Sequence, residues 1–160
     1  MINYKIDYKE LYNSLPSGYF CSLPNGTIID SNNKFIEHTG YARKELIGKK
    51  KFVDFLSLGE QIYFENVYSL ALKLNGTIEE VNFNFIKKDG TKLPVLVNSV
   101  EVKDKEGVHL FTQSAVFNIS QRKKYEQELL IAKRKANDLS NELIDVNNKL
   151  LCNAELILKQ

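Results

Sequence analysis

Residues 81–102 read VNFNFIKKDGTKLPVLVNSVEV, and this stretch decides the fold class. Val81, Phe83 and Phe85 alternate with Asn82 and Asn84, so one face is apolar and the other polar, as in a half-buried antiparallel strand. Lys88-Asp89-Gly90 is a hairpin turn. Leu93 to Val102 is the next strand, with Pro94 near its start, where a lost backbone donor is tolerated. Asp104-Lys105-Glu106-Gly107 turns the chain again, and Val108 to Asn118 is the last strand.

Upstream, Asp7-Tyr8-Lys9-Glu10 has the form of a helix start, with Asp7 as cap and Glu10 placed to reach back. Pro16-Ser17-Gly18 ends that helix, Gly18 to Leu23 is strand-like, and Pro24-Asn25-Gly26 turns into a second strand, Thr27 to Asp30. Gly40 and Gly48 break Asn32 to Gly48 into short helical pieces. Ile62, Tyr63, Val67, Leu70, Ala71 and Leu74 fall at helical spacing, which predicts a longer helix over 58–74 closed by Asn75-Gly76. Two strands, short helices, one longer helix and three strands make an α+β chain: a five-stranded antiparallel sheet with short helices on one face.

All 8 Gly and all 3 Pro precede residue 120. From Gln121 onward the chain is Lys, Glu, Leu, Ala and Asn, helix material without a breaker. A heptad register places Leu129, Ala136, Leu143, Leu150 and Ile157 at a, and Tyr125, Ala132, Leu139, Val146 and Asn153 at d. Glu128 at g would face Lys133 at e of a parallel partner. Such a helix is about 60 Å long, more than a domain of this size can cover, so a second copy is the expected mate rather than its own domain. The expected dimer interface is Tyr125, Leu129, Ala132, Ala136, Leu139, Leu143, Val146 and Leu150, with fraying toward Asn147, Asn148 and Asn153.

Of the 160 residues 43% are hydrophobic and 26% charged, and 22 Lys and Arg against 20 Asp and Glu leave a formal charge of +2. That balance excludes a generally basic nucleic-acid binder. No apolar run reaches the roughly 20 residues of a membrane span. Cys21 and Cys152 are read as reduced thiols, consistent with a cytoplasmic location. There is no phosphate-cradling loop, no Gly-x-Ser-x-Gly and no zinc spacing, so the chain is not expected to be an enzyme. His38 is followed by Thr39 and Gly40 rather than an acidic residue, and the tail has no His to accept a phosphoryl group.

The order of elements and several motifs resemble the PAS sensory family. Asn32-Asn33-Lys34-Phe35 followed by Thr39-Gly40-Tyr41, Glu45-Leu46-Ile47-Gly48, Lys88-Asp89-Gly90-Thr91 and Asn118-Ile119-Ser120 carry the resemblance, which spans residues 10 to 125. It implies a helical cap over 1–16, a PAS domain over 17–119 and a signalling helix or coiled coil over 120–160. It also implies a cytoplasmic sensor or interaction module. The module would signal through a paired helix to an output domain of a sensor kinase, cyclase or phosphatase. A ligand-free dimerisation scaffold and a noncovalent small-molecule sensor are the alternatives. Asn118, Ile119 and Ser120 are the expected relay between last strand and helix.

A pocket is expected among Phe20, Ile28, Phe35, Phe52, Phe55, Phe64, Val67, Phe83, Phe85, Val95, Val97 and Val116. It suits a small apolar or mixed ligand, or it is filled by its own side chains. No cofactor is evident. The resemblance would place a flavin's reactive Cys in Lys49 to Phe55, which has none, and its polar edge against Phe85, Val95 and Val116, which offer no amide. A haem would need a His on the longer helix, and Leu58 to Leu74 has none. His38, and His109 in antiphase to Leu110, Thr112, Ser114 and Val116, lack partners at metal-ligand spacing and are read as satisfied or exposed. Cys21 is read as a small buried hydrophobe, with a redox role as the lesser alternative.

Overall fold

The computed structural model describes residues 7–158. The parts of the expected cap and tail formed by residues 1–6 and 159–160 lie outside the described residues. The chain forms two compact units, 1–120 and 121–160.

The first unit contains α1 (Tyr8–Asn13), β1 (Gly18–Ser22), β2 (Ile28–Ser31), α2 (Asn33–Thr39) and α3 (Arg43–Leu46). A 3₁₀ turn (Phe52–Phe55), α4 (Leu58–Tyr63), a π-helical turn (Phe64–Tyr68) and α5 (Ser69–Asn75) follow. The strands β3 (Thr77–Ile86), β4 (Lys92–Lys103) and β5 (His109–Asn118) come last. The sheet is antiparallel throughout, in the order β2-β1-β5-β4-β3.

The helices α1 and α2 begin where a side chain, Asp7 or Asn32, takes up orphan N–H groups. Asp7 Oδ1 accepts from the Lys9 and Glu10 N–H groups at 2.9 and 3.3 Å. Ser57 Oγ donates to Glu60 Oε2 at 2.8 Å, and Glu60 Oε1 accepts the Asn84 N–H at 2.7 Å, tethering the start of α4 to β3. Gly40 ends α2 at φ 74°, a left-handed cap that any side chain would strain.

Asn32 caps α2 and is fully buried. Its Oδ1 accepts from the Phe35 N–H at 3.0 Å and the Tyr19 N–H at 2.8 Å. Its Nδ2 donates to the Tyr12 and Ser17 carbonyls at 3.2 and 2.9 Å. One amide thus pins α1, β1 and α2 together with all its hydrogen-bonding capacity spent.

The motifs that are far apart in sequence meet in space. The Lys88 N–H donates to the Thr39 carbonyl at 2.9 Å, and Lys88 Nζ lies 2.8 Å from Glu45 Oε1. Lys50 and Lys88 lie over the Tyr41 ring at 4.9 and 5.8 Å.

The core sits between the inner face of the sheet and the helices. Phe20, Phe83, Phe85, Val95, Val97 and Val116 pack there with Phe35, Leu46, Phe52, Phe55, Tyr68 and Leu72. The rings interlock, with Phe20–Phe35 centroids 4.7 Å apart and Phe35 edge-on to Phe55 at 5.7 Å.

The second unit is the single helix α6, Ser120–Leu158, whose 39 residues make it about 58 Å long. Arg122–Glu126 and Lys149–Asp145 pair one turn apart at 2.9 and 3.3 Å.

Candidate functional site: a hydroxyl-walled cavity beside the packed core

The inner sheet face is built in rows by strand register. Gly18, Val116 and Val97 share one level; Phe20, Ser114 and Ser99 the next; Ser22, Thr112 and Glu101 the third. Strand alternation sends all these side chains to the same side. The face therefore runs from apolar to polar along the strands.

The polar levels border a cavity of about 290 Å³. Phe52, Phe64, Tyr68 and Leu72 form the wall opposite, and Leu23 to Gly26 and Lys51 lie at one side. Tyr68 donates to Ser99 Oγ at 2.5 Å, and Ser99 Oγ lies 2.6 Å from Ser114 Oγ, a hydroxyl chain from the π turn across β4 to β5. Burial pushes the Tyr68 phenol up to about 12, although its bond to Ser99 works the other way. It stays a neutral donor at any ordinary pH.

Glu101 is nearly enclosed, with Lys103 Nζ 3.1 Å and His109 Nδ1 3.5 Å from its carboxylate oxygens. His109 Nε2 lies 3.0 Å from Thr112 Oγ1. The antiphase expected for His109 fails because the β4–β5 register slips between Val102 and Lys103. The extra residue, Leu110, points out, and His109 turns in to border the cavity.

The expected pocket residues divide. Phe20, Phe52 and Phe64 border the cavity. Ile28, Phe35, Phe55, Phe83, Phe85, Val95, Val97 and Val116 lie inside the packed cluster, where their neighbours fill the space. Val67 is 47% exposed and faces outward, as do Ile62, Leu70 and Leu74. The segment has a second run at helical spacing, Phe64, Tyr68 and Leu72, and this is the face that meets the core. Tyr68, the last residue of the π turn, and Leu72, one turn further on in α5, are both buried. The polar members, Ser22, Ser99, Glu101, Thr112 and Ser114, were legible as in-phase neighbours of the core valines, a signal that a search for apolar linings passes over.

Phe85, Val95 and Val116 are fully buried and do not border the cavity. These residues do not fit a flavin's polar edge. Among the described residues no three His, Cys, Asp or Glu converge as a metal site. His38 is buried with Nδ1 unpartnered, against the expectation of a satisfied or exposed ring, and Nδ1 lies 3.1 Å from where a Gly18 Cβ would stand. Burial, aided by nearby Lys34, holds the imidazole below its usual 6.5. Cys21 is half-buried, and burial raises its thiol.

At the end of β5, the Ile119 N–H donates to the Pro94 carbonyl at 3.0 Å and Asn118 Oδ1 accepts the Ser120 N–H at 2.9 Å. Ile119 is buried. The helix that follows leaves Tyr125, Leu129, Leu139, Leu143, Val146 and Leu150 exposed by 53–71%. Ala132 and Ala136 are exposed as well. Among the described residues no helix is long and apolar enough to cross a membrane.

Residues 16–121 match the PAS domain family. A phosphoserine phosphatase of Bacillus subtilis (strain 168), RsbP, is 29% identical over 126 residues. That alignment covers 79% of this chain but only 30% of RsbP. The PAS domain of a Colwellia psychrerythraea protein superimposes with a TM-score of 0.66 at 15% identity, over 71% of this chain and 95% of that one. A PAS domain from a two-component sensor histidine kinase gives 0.58 at 16% identity, over 69% and 92%.

Proposed function

The chain belongs to the PAS domain family, and from that premise we propose that it is a cytoplasmic signalling module acting as a homodimer through α6. It relays an event in the cavity to an output module, a histidine kinase, cyclase or phosphatase. The observation that carries this reading is the apolar a/d stripe of α6, exposed along its whole described length in a single chain. A stripe of that kind is stable in water only against a partner. The link to the domain is short: β5 passes through Ile119, fixed to Pro94, directly into α6. One residue, Ile119, separates the end of β5 from the first turn of the helix. A ligand drives a shift of β5 only to the extent that it binds one arrangement better than the other.

Analytical ultracentrifugation tests the pairing. The wild-type protein is expected to sediment as a dimer and the Leu139→Lys/Leu143→Lys variant as a monomer with an unchanged near-ultraviolet spectrum. A double variant that remains dimeric removes the coiled coil from this reading.

The cavity favours a second reading, a noncovalent small-molecule sensor, over a ligand-free scaffold. Ser99 and Ser114 are both buried and keep polar groups at a wall that core valines would otherwise have closed.

A further inference from the structure

Tyr68, Ser99 and Ser114 bring three hydroxyl protons to a chain with two hydrogen bonds. Whichever way the Ser99–Ser114 bond runs, one serine proton is left without an acceptor among the described residues. All three side chains are more than nine-tenths buried and border the cavity. A buried donor left unmade is costly, so the site is built for an oxygen acceptor.

The charged groups narrow the acceptor. Glu101 is already matched by Lys103 and His109. Of the other charged residues at the cavity, Lys51 and Lys73 outnumber Glu65, and none of the three makes an ion pair among the described residues. Opposite the hydroxyls the wall is aromatic, with the Phe64 and Tyr68 rings stacked at 5.0 Å and Phe52 beside them at 4.9 Å from Phe64, tilted by 50°. The volume, about 290 Å³, lies at the lower end of the ~300–1,000 Å³ of ligand pockets, which sets the occupant below drug size.

We propose that this cavity binds a small monocarboxylate with an apolar body. With Tyr68 donating to Ser99 and Ser99 to Ser114, its carboxylate accepts the proton of Ser114 at the end of the chain, on the side of Lys51 and Lys73, and its body lies against Phe52, Phe64 and Leu72. This deepens the sensor reading above and rests on it. The ligand touches the π turn on one wall and β5, through Ser114, on the other, so occupancy bears directly on the strand that continues into α6.

The test uses three probes of one ring and different charge: benzoate, benzyl alcohol and benzylamine. Each is titrated into the ¹⁵N-labelled chain. Benzoate is expected to shift the amides of Phe52, Ser99 and Ser114 and to bind at least about ten-fold tighter than benzylamine. Ser114→Ala should weaken benzoate about five-fold, the loss of one ordinary hydrogen bond. Ser114→Thr, which keeps the hydroxyl, should restore most of it, and Lys73→Glu should weaken benzoate but not benzyl alcohol. Binding of benzylamine as tight as benzoate overturns the carboxylate assignment, and so does the absence of cavity shifts with all three probes. Sedimentation of the same samples separates the two readings. A dimer that ignores benzoate sinks the ligand inference alone, and a monomer that binds benzoate sinks the dimeric relay alone.

Discussion

Along β4 and β5 one sheet face carries Val97 against Val116, then Ser99 against Ser114, then Glu101 against Thr112. At the valine end, phenylalanines from α2, the 3₁₀ turn and β3 interlock and leave no room. Two residues further along the same strands, hydroxyls replace branched apolar chains and the wall stands back from α5 by a cavity. Backbone, pleat and register are shared, so side-chain identity alone separates a region that holds the fold from one that can hold something else. The first is close-packed and intolerant of lost volume; the second has volume and polar capacity to spare.

The largest expected effect lies at the packed end. Phe35→Ala should cost about 3–5 kcal/mol in urea unfolding, because its neighbours cannot collapse into the space of a fully buried ring. Ser114→Ala should cost only about 1 kcal/mol, one hydrogen bond beside an existing cavity. Equal losses would dissolve the distinction between the two ends.

Asn32 sharpens it, because it is a polar group at the packed end with nothing to spare. Asn32→Ala removes an N-cap and strands backbone groups of Tyr19 and Phe35, at a cost of about 3 kcal/mol. Ser114→Ala, at the end of a chain with a proton left over, should cost about a third of that. Thermal and urea unfolding of the pair measure the contrast, which fails if Asn32→Ala is the milder change.

His38 gives the smallest effect. Its folded imidazole titrates below the usual 6.5, so the unfolded chain binds the proton first on acidification. Its contribution to stability is complete above about 6.5 and is lost as the pH falls from there toward the folded value. The Tm should drop between pH 7 and 5, and less steeply in His38→Leu. Parallel pH profiles for the two proteins would show that another group sets the slope.

The strands and their turns were legible because period-two alternation at Val81 to Phe85 and the Asp89-Gly90 turn are local signals that tertiary context reinforced. The capping role of Asn32 was also legible, though its ties to Tyr12, Ser17 and Tyr19 join partners that no local pattern connects. The face of the 58–75 segment was not legible. Ile62, Leu70 and Leu74 form one stripe at helical spacing and Phe64, Tyr68 and Leu72 form another, and periodicity cannot choose between two such stripes. His109 was misplaced because a single bulge inverts every side chain beyond it. Of the residues expected to line the pocket, all except Val67 lie in or against the core. The division of that set into filler and wall depends on where the helices stand off the sheet, which only the assembled layers determine.

The π turn at Phe64–Tyr68 also has a genetic consequence. A turn closed over five residues, where an α-helix closes over four, is what one inserted codon leaves behind when both flanks are already anchored. Here Glu60 fixes the upstream flank to Asn84, and Leu72 seats the downstream flank in the core. Deleting the codon for outward-facing Val67 would let the helix run through without a break and leave both anchors in place. Tyr68 is the residue whose aim would change. The reading frame thus holds, in one removable triplet, the position of the phenol at the head of the hydroxyl chain.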